Sequence, residues 1–486
     1  LSKTCALLFL GILYLKNFCL YGYCVKKIYF VLVVLVCCFS LSLKSLSAHP
    51  LDFTVLQLGS HPDTGTMDSV SHILIVGGIQ GDEPGGFSAA SLLGTHYTFK
   101  NGYVTIIPNL NFLSIINRNR GSSGDMNRKF AKLSEKDPDF HAVRRVQELI
   151  RSPEVDLILN LHDGYGFYSP KYVSEMQCPK RWGNSVIIDQ EECGDIPFGN
   201  LGEIGRRVVA KVNENLLEKG HSYHLKNTET AKGDKEMEKS LTWFALGQGK
   251  PAFGVEATKN INVAGRVYYH LHAIEEFFNV AGIEFSRDFP LTTKGIHEAL
   301  NNDIYLGFMG SRLILPLDDI RRPQLGVFPM QKEYTIKGNS PILAALHEKN
   351  TMQVHYGNNR VTNFKVEWLD LDTSLDSMEV ELDGKVYTAK FGDILYAKNY
   401  AKVLPQKGYR LNAIGAVVGN GPRGDESNIK IYKKAFQERF SVDKFGNQYR
   451  LEIYKGAKYA GTFILNYCKT APENPVFSPL DALNKI

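Results

Sequence analysis

Apolar runs and amphipathic stretches alternate along the chain from Ala48 to about Phe285. Four runs of consecutive apolar residues predict buried strands, and four stretches with apolar residues at helical spacing predict helices. The predicted strands are His72–Gly78, Tyr103–Pro108, Val155–Leu161 and Ala252–Glu256, and the predicted helices are Phe87–Leu93, Phe140–Arg151, Ile204–Lys219 and Val267–Val280. Strands that are apolar throughout need cover on both faces. The pattern predicts an α/β domain over residues 48–286, with a mostly parallel or mixed sheet between helical layers.

The pattern changes after Pro290, where short runs with turn signals replace the helices. Such runs predict strands, at Arg312–Pro316, Gln324–Pro329, Lys365–Leu369 and Glu379–Leu382. Asp383-Gly384 predicts a hairpin turn, and the polar stretch 370–377 predicts a linker. We therefore expect two small all-β modules, a barrel-like one at 287–370 and a sandwich-like, immunoglobulin-like one at 371–486.

The amino-terminal segment has the layout of a secretory signal peptide. Lys26 and Lys27 precede an apolar run from Ile28 to Phe39, and small residues follow at 45–48. We expect residues 1–47 to be this signal, with a start at Val25 as an alternative. The mature chain is then expected in the periplasm.

The charge balance of the chain bears on its partners, and its cysteine content bears on disulfide bonds. Without the five lysines of the first 47 residues, the chain carries 51 basic and 51 acidic residues. A balanced surface gives no electrostatic footprint for nucleic acid, so we exclude that partner. Three cysteines follow the signal, and Cys178 and Cys193 are either bridged or free, two alternatives that the spacing leaves open.

Polar side chains follow two of the predicted strands at the point where each strand ends. Gln80 and Glu83 lie in the glycine-rich turn 77–86, and His162 follows the strand that ends at Leu161. Because the carboxyl ends of parallel strands meet at one edge of a sheet, we expect the three side chains to converge. One imidazole, one carboxylate and one amide oxygen leave a position for water, as a catalytic zinc requires.

Two further groups suit the same edge. Arg120 and Arg128 lie in a polar loop, and a cleft arginine can hold a carboxylate or a developing oxyanion. Glu256 ends the fourth predicted strand and could act as general base toward water at the metal. The plain alternatives are a solvated loop for 125–128 and an ion pair between Glu256 and Lys259.

A second candidate motif, His272-Ala-Ile-Glu275 with His270 nearby, falls inside the predicted helix Val267–Val280. No strand and glycine turn precede it. We therefore expect these residues to line a solvated helix face rather than a metal site.

Taken in order, Gln80-x-x-Glu83, Asp125-Met-Asn127-Arg128, His162 and Glu256 resemble the zinc carboxypeptidases of carboxypeptidase A type. That family usually has His-x-x-Glu as its first motif, so Gln80 is a departure. A glutamine at this position, a signal peptide and a β-rich tail are more similar to the periplasmic murein D,L-carboxypeptidases that set helical cell shape in Gram-negative bacteria.

The resemblance implies a role for each residue. It implies one zinc ion per chain, and it assigns metal binding to Gln80, Glu83 and His162, carbonyl polarisation to Arg120, general base catalysis to Glu256, and substrate binding to Asn127, Arg128 and Trp182. The tyrosine that usually closes a carboxypeptidase site has no counterpart in 230–250. The implied enzyme trims peptidoglycan tripeptide stems to dipeptides, releases meso-diaminopimelate and contributes to cell shape.

Two other functions stay open on the sequence. One is a catalytically inactive scaffold that binds peptidoglycan, which Gln80 keeps open, and the other is a related deacylase of N-acyl amino acids. Expected partners are muropeptides, with the β-rich tail as a surface for cell-shape proteins.

Overall fold

The computed structural model describes residues 51–60, 70–322, 324–418, 424–470 and 472–484. The predicted signal peptide at 1–47 lies outside these residues. Within the described ranges, no helix combines the length and the apolar character needed to cross a membrane.

A seven-stranded mixed sheet forms the centre of the first half of the chain. The strands of this half are β1 (Leu56–Ser60), β2 (His72–Val76), β3 (Tyr97–Lys100), β4 (Gly102–Ile107), β5 (Leu157–Gly164), β6 (Phe167–Tyr168), β7 (Gln177–Cys178), β8 (Ser185–Ile188), β9 (His224–Asn227), β10 (Ala252–Thr258) and β11 (Glu284–Arg287). The sheet order is β1-β4-β2-β5-β10-β8-β9. The strands β4, β2, β5 and β10 are parallel to one another, whereas β1 and β8 pair antiparallel with their inner neighbours.

Helices cover both faces of this sheet. They are α1 (Pro84–His96), α2 (Phe112–Asn117), α3 (Phe140–Arg151), α4 (Leu201–Asn213), α5 (Leu241–Gly247), α6 (Val263–Ala281) and α7 (Thr293–Asn301). Successive residues of a strand face opposite layers. Ile73 and Ile75 of β2 therefore pack in a core with α1, α4 and α6, while Leu74 and Val76 pack in a second core with α3 and α5. This is the predicted α/β/α architecture.

Helix α7 lies beyond residue 286 but packs with the α/β layers, since Ile296 and Leu300 belong to the core that α6 shares. This nine-residue helix was not predicted from the sequence, although Ile296 and Leu300 are at helical spacing. The module boundary at 286 stays a prediction.

In the part of the second half that the structure describes, the chain forms four small sheets. Its strands are β12 (Tyr305–Phe308), β13 (Leu313–Pro316), β14 (Val327–Met330), β15 (Ile336–Gly338), β16 (Leu343–Glu348), β17 (Thr351–Tyr356), β18 (Asn359–Trp368), β19 (Ser377–Leu382), β20 (Lys385–Lys390), β21 (Ile394–Ala397), β22 (Tyr400–Val403), β23 (Tyr409–Ala413), β24 (Ile431–Tyr432), β25 (Gln448–Lys455), β26 (Lys458–Tyr467) and β27 (Val476–Phe477), followed by α8 (Leu480–Leu483). The sheet orders are β13-β12-β15, β14-β18-β17-β16, β20-β19-β22-β24 and β23-β25-β26-β21-β27.

The last two sheets share one core, in which Val380 of β19 packs with Leu411 of β23 and Phe463 of β26. Two sheets that enclose a common core form a sandwich, as predicted. The predicted hairpin is also present: Asp383 and Gly384 both have positive φ, 49° and 94°, and join β19 to its antiparallel partner β20. Cys178, Cys193 and Cys468 are free, so the alternative without a bridge is the correct one for these residues.

One contact between the halves supports the site. Phe87 of α1 and Phe112 and Ile115 of α2 pack with Ile342 and Ala344 of the middle β region. Helix α2 leads directly into the loop that carries Arg120, so this small core holds the start of that loop.

Candidate active site

The turn between β2 and α1 places the first two candidate ligands. It passes so close to α2 that a Cβ on Gly81 would lie 2.0 Å from the backbone carbon of Ser114, and only glycine avoids that contact. Pro84 begins α1, where its missing N–H costs nothing. Gln80 and Glu83 are consequently buried, with 2% and 4% of their surfaces exposed.

The three predicted ligands converge as expected. Nδ1 of His162 lies 3.2 Å from Oε1 of Gln80 and 2.9 Å from Oε2 of Glu83. Two ligands of one tetrahedral zinc, each about 2.0–2.2 Å from the metal, lie roughly 3.3 Å apart. The donor spacing therefore fits a zinc ion. Among the described residues, no group of three or more His, Cys, Asp and Glu side chains could hold a metal, and the third oxygen or nitrogen beside His162 and Glu83 is the amide oxygen of Gln80.

Asp125 fixes the orientation of the Gln80 amide. Its Oδ1 accepts a hydrogen bond of 2.8 Å from Nε2 of Gln80, and its Oδ2 accepts one of 2.9 Å from Nε of Arg120. Burial opposes ionisation of this carboxyl, but the hydrogen bond from Gln80 and the charge of Arg120 hold its pKa below the usual value. With its N–H₂ group held by Asp125, Gln80 presents its oxygen to His162.

The loop after Arg120 carries Asn127 and Arg128, the pair predicted to bind the terminal carboxylate of a substrate; we call this pair the clamp. Oδ1 of Asn127 accepts a hydrogen bond from the backbone N–H of Leu241 at 3.0 Å, and its Nδ2 lies 3.4 Å from Nε2 of His162. Arg128 donates from Nη1 to the carbonyl oxygen of Asn127 at 3.0 Å. Nη1 of Arg120 lies 3.4 Å from Oε1 of Glu83. Both arginines therefore border the three converging donors.

Glu256 lies beside His162 because the two residues are in register on the parallel strands β10 and β5. Its Oε2 is buried and has no hydrogen-bond partner among the described residues. Burial raises the pKa of Glu256 well above its ordinary value, and the carboxylates of Glu83 and Asp163 raise it further. The alternative ion pair with Lys259 is absent here, since Lys259 pairs with Asp82 at 2.6 Å and with Glu83 at 3.5 Å.

These side chains surround one cavity of about 310 Å³. All eight residues that the sequence analysis named line it: Gln80, Glu83, Arg120, Asn127, Arg128, His162, Trp182 and Glu256. From the stretch 230–250, where no closing tyrosine was found, Met237 and Thr242 line the wall. The arrangement combines three donors with the spacing of zinc ligands, two arginines and a buried carboxylate around a space that can hold a peptide terminus.

A buried network behind His162 was missed by the sequence analysis. Oδ2 of Asp163 accepts hydrogen bonds from the N–H of Gly85 at 2.8 Å and from Nη1 of Arg266 at 3.1 Å, and its Oδ1 lies 3.2 Å from Nε2 of His270. Burial opposes its ionisation, but His270 and Arg266 hold the pKa of Asp163 below its usual value. The network ties α1 and α6 to the end of β5.

The expectation of a solvated helix face at His270 is therefore wrong, because this residue is fully buried. His272 is partly buried and packs edge-on against Tyr268. Since Asp163 and His270 are 107 residues apart, no local spacing could have revealed their contact.

Two models of known protein families match this chain. Residues 27–301, more than half of the chain, match the family model described as the catalytic region of the carboxypeptidase controlling helical cell shape. The chain belongs to this family. Residues 371–468 match a second model, described as the C-terminal domain of metallo-carboxypeptidase. The predicted metallocarboxypeptidase class of hydrolase is confirmed.

Solved structures of a relative match nearly the whole described chain. The cell shape determinant Csd4 of Helicobacter pylori in its apo form is 37% identical, with a TM-score of 0.79 over 86% of this chain and 100% of that one. The tripeptide-bound form gives the same values. The mDAP-bound form of Csd4, described as a D,L-carboxypeptidase, matches over 85% of this chain, again at 37% identity and a TM-score of 0.79. None of the curated proteins compared with the chain matches it.

Proposed function

We propose that this protein is a periplasmic zinc D,L-carboxypeptidase that shortens peptidoglycan tripeptide stems to dipeptides and releases meso-diaminopimelate. The observation that carries the proposal is the convergence of Gln80, Glu83 and His162 on one point, beside the unpartnered oxygen of Glu256. Family membership and the similarity to Csd4 support the same activity.

In this proposal Gln80, Glu83 and His162 hold one zinc ion, which supplies a Lewis acid when bound. Glu256 takes a proton from the attacking water at its free Oε2 and returns it to the nitrogen of the leaving amine. Arg120 donates hydrogen bonds to the scissile carbonyl oxygen as negative charge develops there. These residues perform the hydrolysis without a covalent intermediate on the protein.

The substrate follows from the clamp. Asn127 and Arg128 need a free terminal carboxylate next to the bond that is cut. The murein tripeptide has one at the L-centre of diaminopimelate, whereas D-Ala caps that centre in the tetrapeptide. The relative Csd4 was solved with a tripeptide and with mDAP, which supports this choice. The bond that breaks is then the one from the γ-carboxyl of D-Glu to the L-centre of diaminopimelate.

An assay of the purified protein with separate murein tripeptides and tetrapeptides, read by mass spectrometry, tests the proposal. We expect diaminopimelate from the tripeptide, no D-Ala from the tetrapeptide, and one zinc per chain by elemental analysis. Release of D-Ala at a comparable rate would contradict the specificity, and a metal-free protein without turnover would favour a binding scaffold.

The Arg128→Ala variant tests the clamp itself. We expect tripeptide cleavage to be lost with zinc content unchanged, because the substrate carboxylate loses its charged partner. Arg144→Ala is the matched control, since Arg144 lies on the outer helix α3 and, within the described residues, its guanidinium hydrogen-bonds with Gln147 rather than with any residue of the cavity. Equal activity of the two variants would show that Arg128 does not bind the substrate.

A further inference from the structure

A row of residues crosses the floor of the active-site cavity, set by the register of four neighbouring strands. Asn160 of β5 is aligned with Gly254 of β10, Gly254 with Ile187 of β8, and Ile187 with Lys226 of β9. Residues in register on adjacent strands place their side chains on the same face of the sheet. Asn160, Gly254 and Ile187 all line the cavity, and Lys226 is the next residue of the row, directly beside this lining.

The side chain of Lys226 lies between two aromatic rings at the end of this row. Its Nζ is 4.2 Å from the centre of the Tyr168 ring and 4.6 Å from that of Trp182, which itself lines the cavity. Cation–π contacts of this kind hold an ammonium in place. The Lys226 ammonium is therefore fixed beside the cavity.

The hydrogen-bonding capacity of this ammonium is only partly used. Nζ donates one hydrogen bond, of 2.9 Å, to the carbonyl oxygen of Pro179. No carboxylate of the described residues lies within ion-pair distance of it, since every ion pair of the site involves other cations. Burial lowers the pKa of Lys226 from its ordinary value, so the site has removed part of its hydration. A partly desolvated ammonium with unused N–H donors favours an anionic partner.

The position relative to the clamp indicates which part of a substrate would supply that anion. Asn127 and Arg128 border the cavity near His162. Between Asn160 and Lys226 in the row, Gly254 has no side chain, and Ile187 contributes the one side chain to the floor there. Gly254 and Lys226 are two strand spacings apart, about 10 Å. An extended chain of five bonds reaches roughly 6 Å, because each bond advances the chain by only ~1.2 Å, and the lysine stem spans the remainder.

We propose that Lys226 determines specificity by binding a second carboxylate, carried at the far end of the side chain of the substrate's terminal residue. The inference rests on the proposed function for the location of the terminal carboxylate. It assigns the selected substrate class as peptides that end in a dicarboxylic amino acid with a long side chain. Diaminopimelate belongs to this class, and lysine, which has the same carbon chain without the distal carboxylate, does not.

The test compares two tripeptides that differ only in this carboxylate, one ending in meso-diaminopimelate and one in L-lysine. We expect the wild-type protein to favour the diaminopimelate peptide in kcat/KM by about 10- to 100-fold, the range for one hydrogen bond to a charged group. Lys226→Met keeps the apolar stem between the rings and removes the charge. It should remove most of this preference by lowering kcat/KM for the diaminopimelate peptide alone, and Lys226→Arg should restore part of it.

Lys219→Met is the matched control, because Lys219 is exposed on the surface and its loss changes the net charge equally. An equal fall for both peptides in Lys226→Met would overturn the proposal and assign Lys226 a structural role, for example through its proximity to Glu256. An unchanged preference would overturn it as well. Lys226→Gln serves the same comparison if the methionine variant does not fold.

Calorimetric titration with free diaminopimelate and free lysine separates this inference from the proposed function. Tighter binding of diaminopimelate that disappears in Lys226→Met, in a protein that cleaves neither peptide, would support the carboxylate contact and refute the peptidase activity. Cleavage of both peptides with equal efficiency by the wild-type protein would support the activity and refute the role of Lys226.

Discussion

Asp125 offers a sharp test of how a glutamine can replace the usual histidine at a metal site. The carboxylate accepts from Gln80 with one oxygen and from Arg120 with the other. In Asp125→Asn the side chain keeps its shape but has a single oxygen, so one of the two donors faces an N–H₂ group. The amide of Gln80 then loses the hydrogen bond that fixes its orientation. It can rotate, so that its oxygen faces His162 for only part of the time.

The expected loss of zinc affinity follows from known effects of such supporting residues. Removing the hydrogen-bond partner of a metal ligand typically weakens metal binding about 10- to 100-fold. That change corresponds to about 1.4–2.7 kcal/mol, which agrees with about 1.5–3 kcal/mol for one hydrogen bond to a charged group. We therefore expect the zinc dissociation constant of Asp125→Asn to be about 10- to 100-fold higher than that of the wild-type protein.

Competition with a chromogenic chelator measures the affinity, and a double-mutant cycle assigns the cause. If Asp125 acts through Gln80, then Asp125→Asn costs no further affinity in a Gln80→Ala background. Asp137→Asn is the control, because Asp137 follows the same loop but bonds to Lys129 rather than to a ligand. Unchanged zinc affinity in Asp125→Asn, or an equal loss in both backgrounds, would refute the reasoning.

Three further predictions concern the same site. Glu256→Gln should lower turnover at least ~10²-fold with zinc retained, because general acid–base assistance is lost; steady-state kinetics with elemental analysis would show a normal rate if another residue is the base. His162→Ala should abolish zinc retention while Gln80→His preserves it, so stoichiometric zinc in the His162→Ala protein would contradict the donor set. Gly81→Ala should lower the free energy of unfolding by about 1–3 kcal/mol, since its Cβ would meet the backbone of Ser114; denaturant unfolding that matches the wild type would show that the turn relaxes.

The sequence predicted the parts of the fold that have a strong local pattern. Helix α3 has the predicted bounds, Phe140–Arg151, because Val143, Val146 and Ile150 repeat at helical spacing and are all buried. The short strands β8 and β9 were not predicted, since four residues carry little periodicity. They matter for the inference above, because β9 places Lys226 beside the cavity.

The residues of the candidate site were predictable from the sequence, but the contacts that orient them were not. Strand ends and a glycine turn indicated Gln80, Glu83 and His162, because a parallel sheet brings its carboxyl ends to one edge. The contacts that orient these residues were not predictable. The hydrogen bond of Asp125 to Gln80 and that of His270 to Asp163 join residues far apart in the chain, and only the packed structure determines them.

The alignment of Glu256 with His162 on neighbouring parallel strands limits how this enzyme can change during evolution. Strand residues alternate between two faces, so an insertion or deletion of a single residue within β10 before Glu256 would turn its carboxylate to the opposite side of the sheet. The same change within β5 would remove His162 from the metal-binding donors. Length variation among relatives should therefore accumulate in the connecting loops, while these two strands keep a constant number of residues.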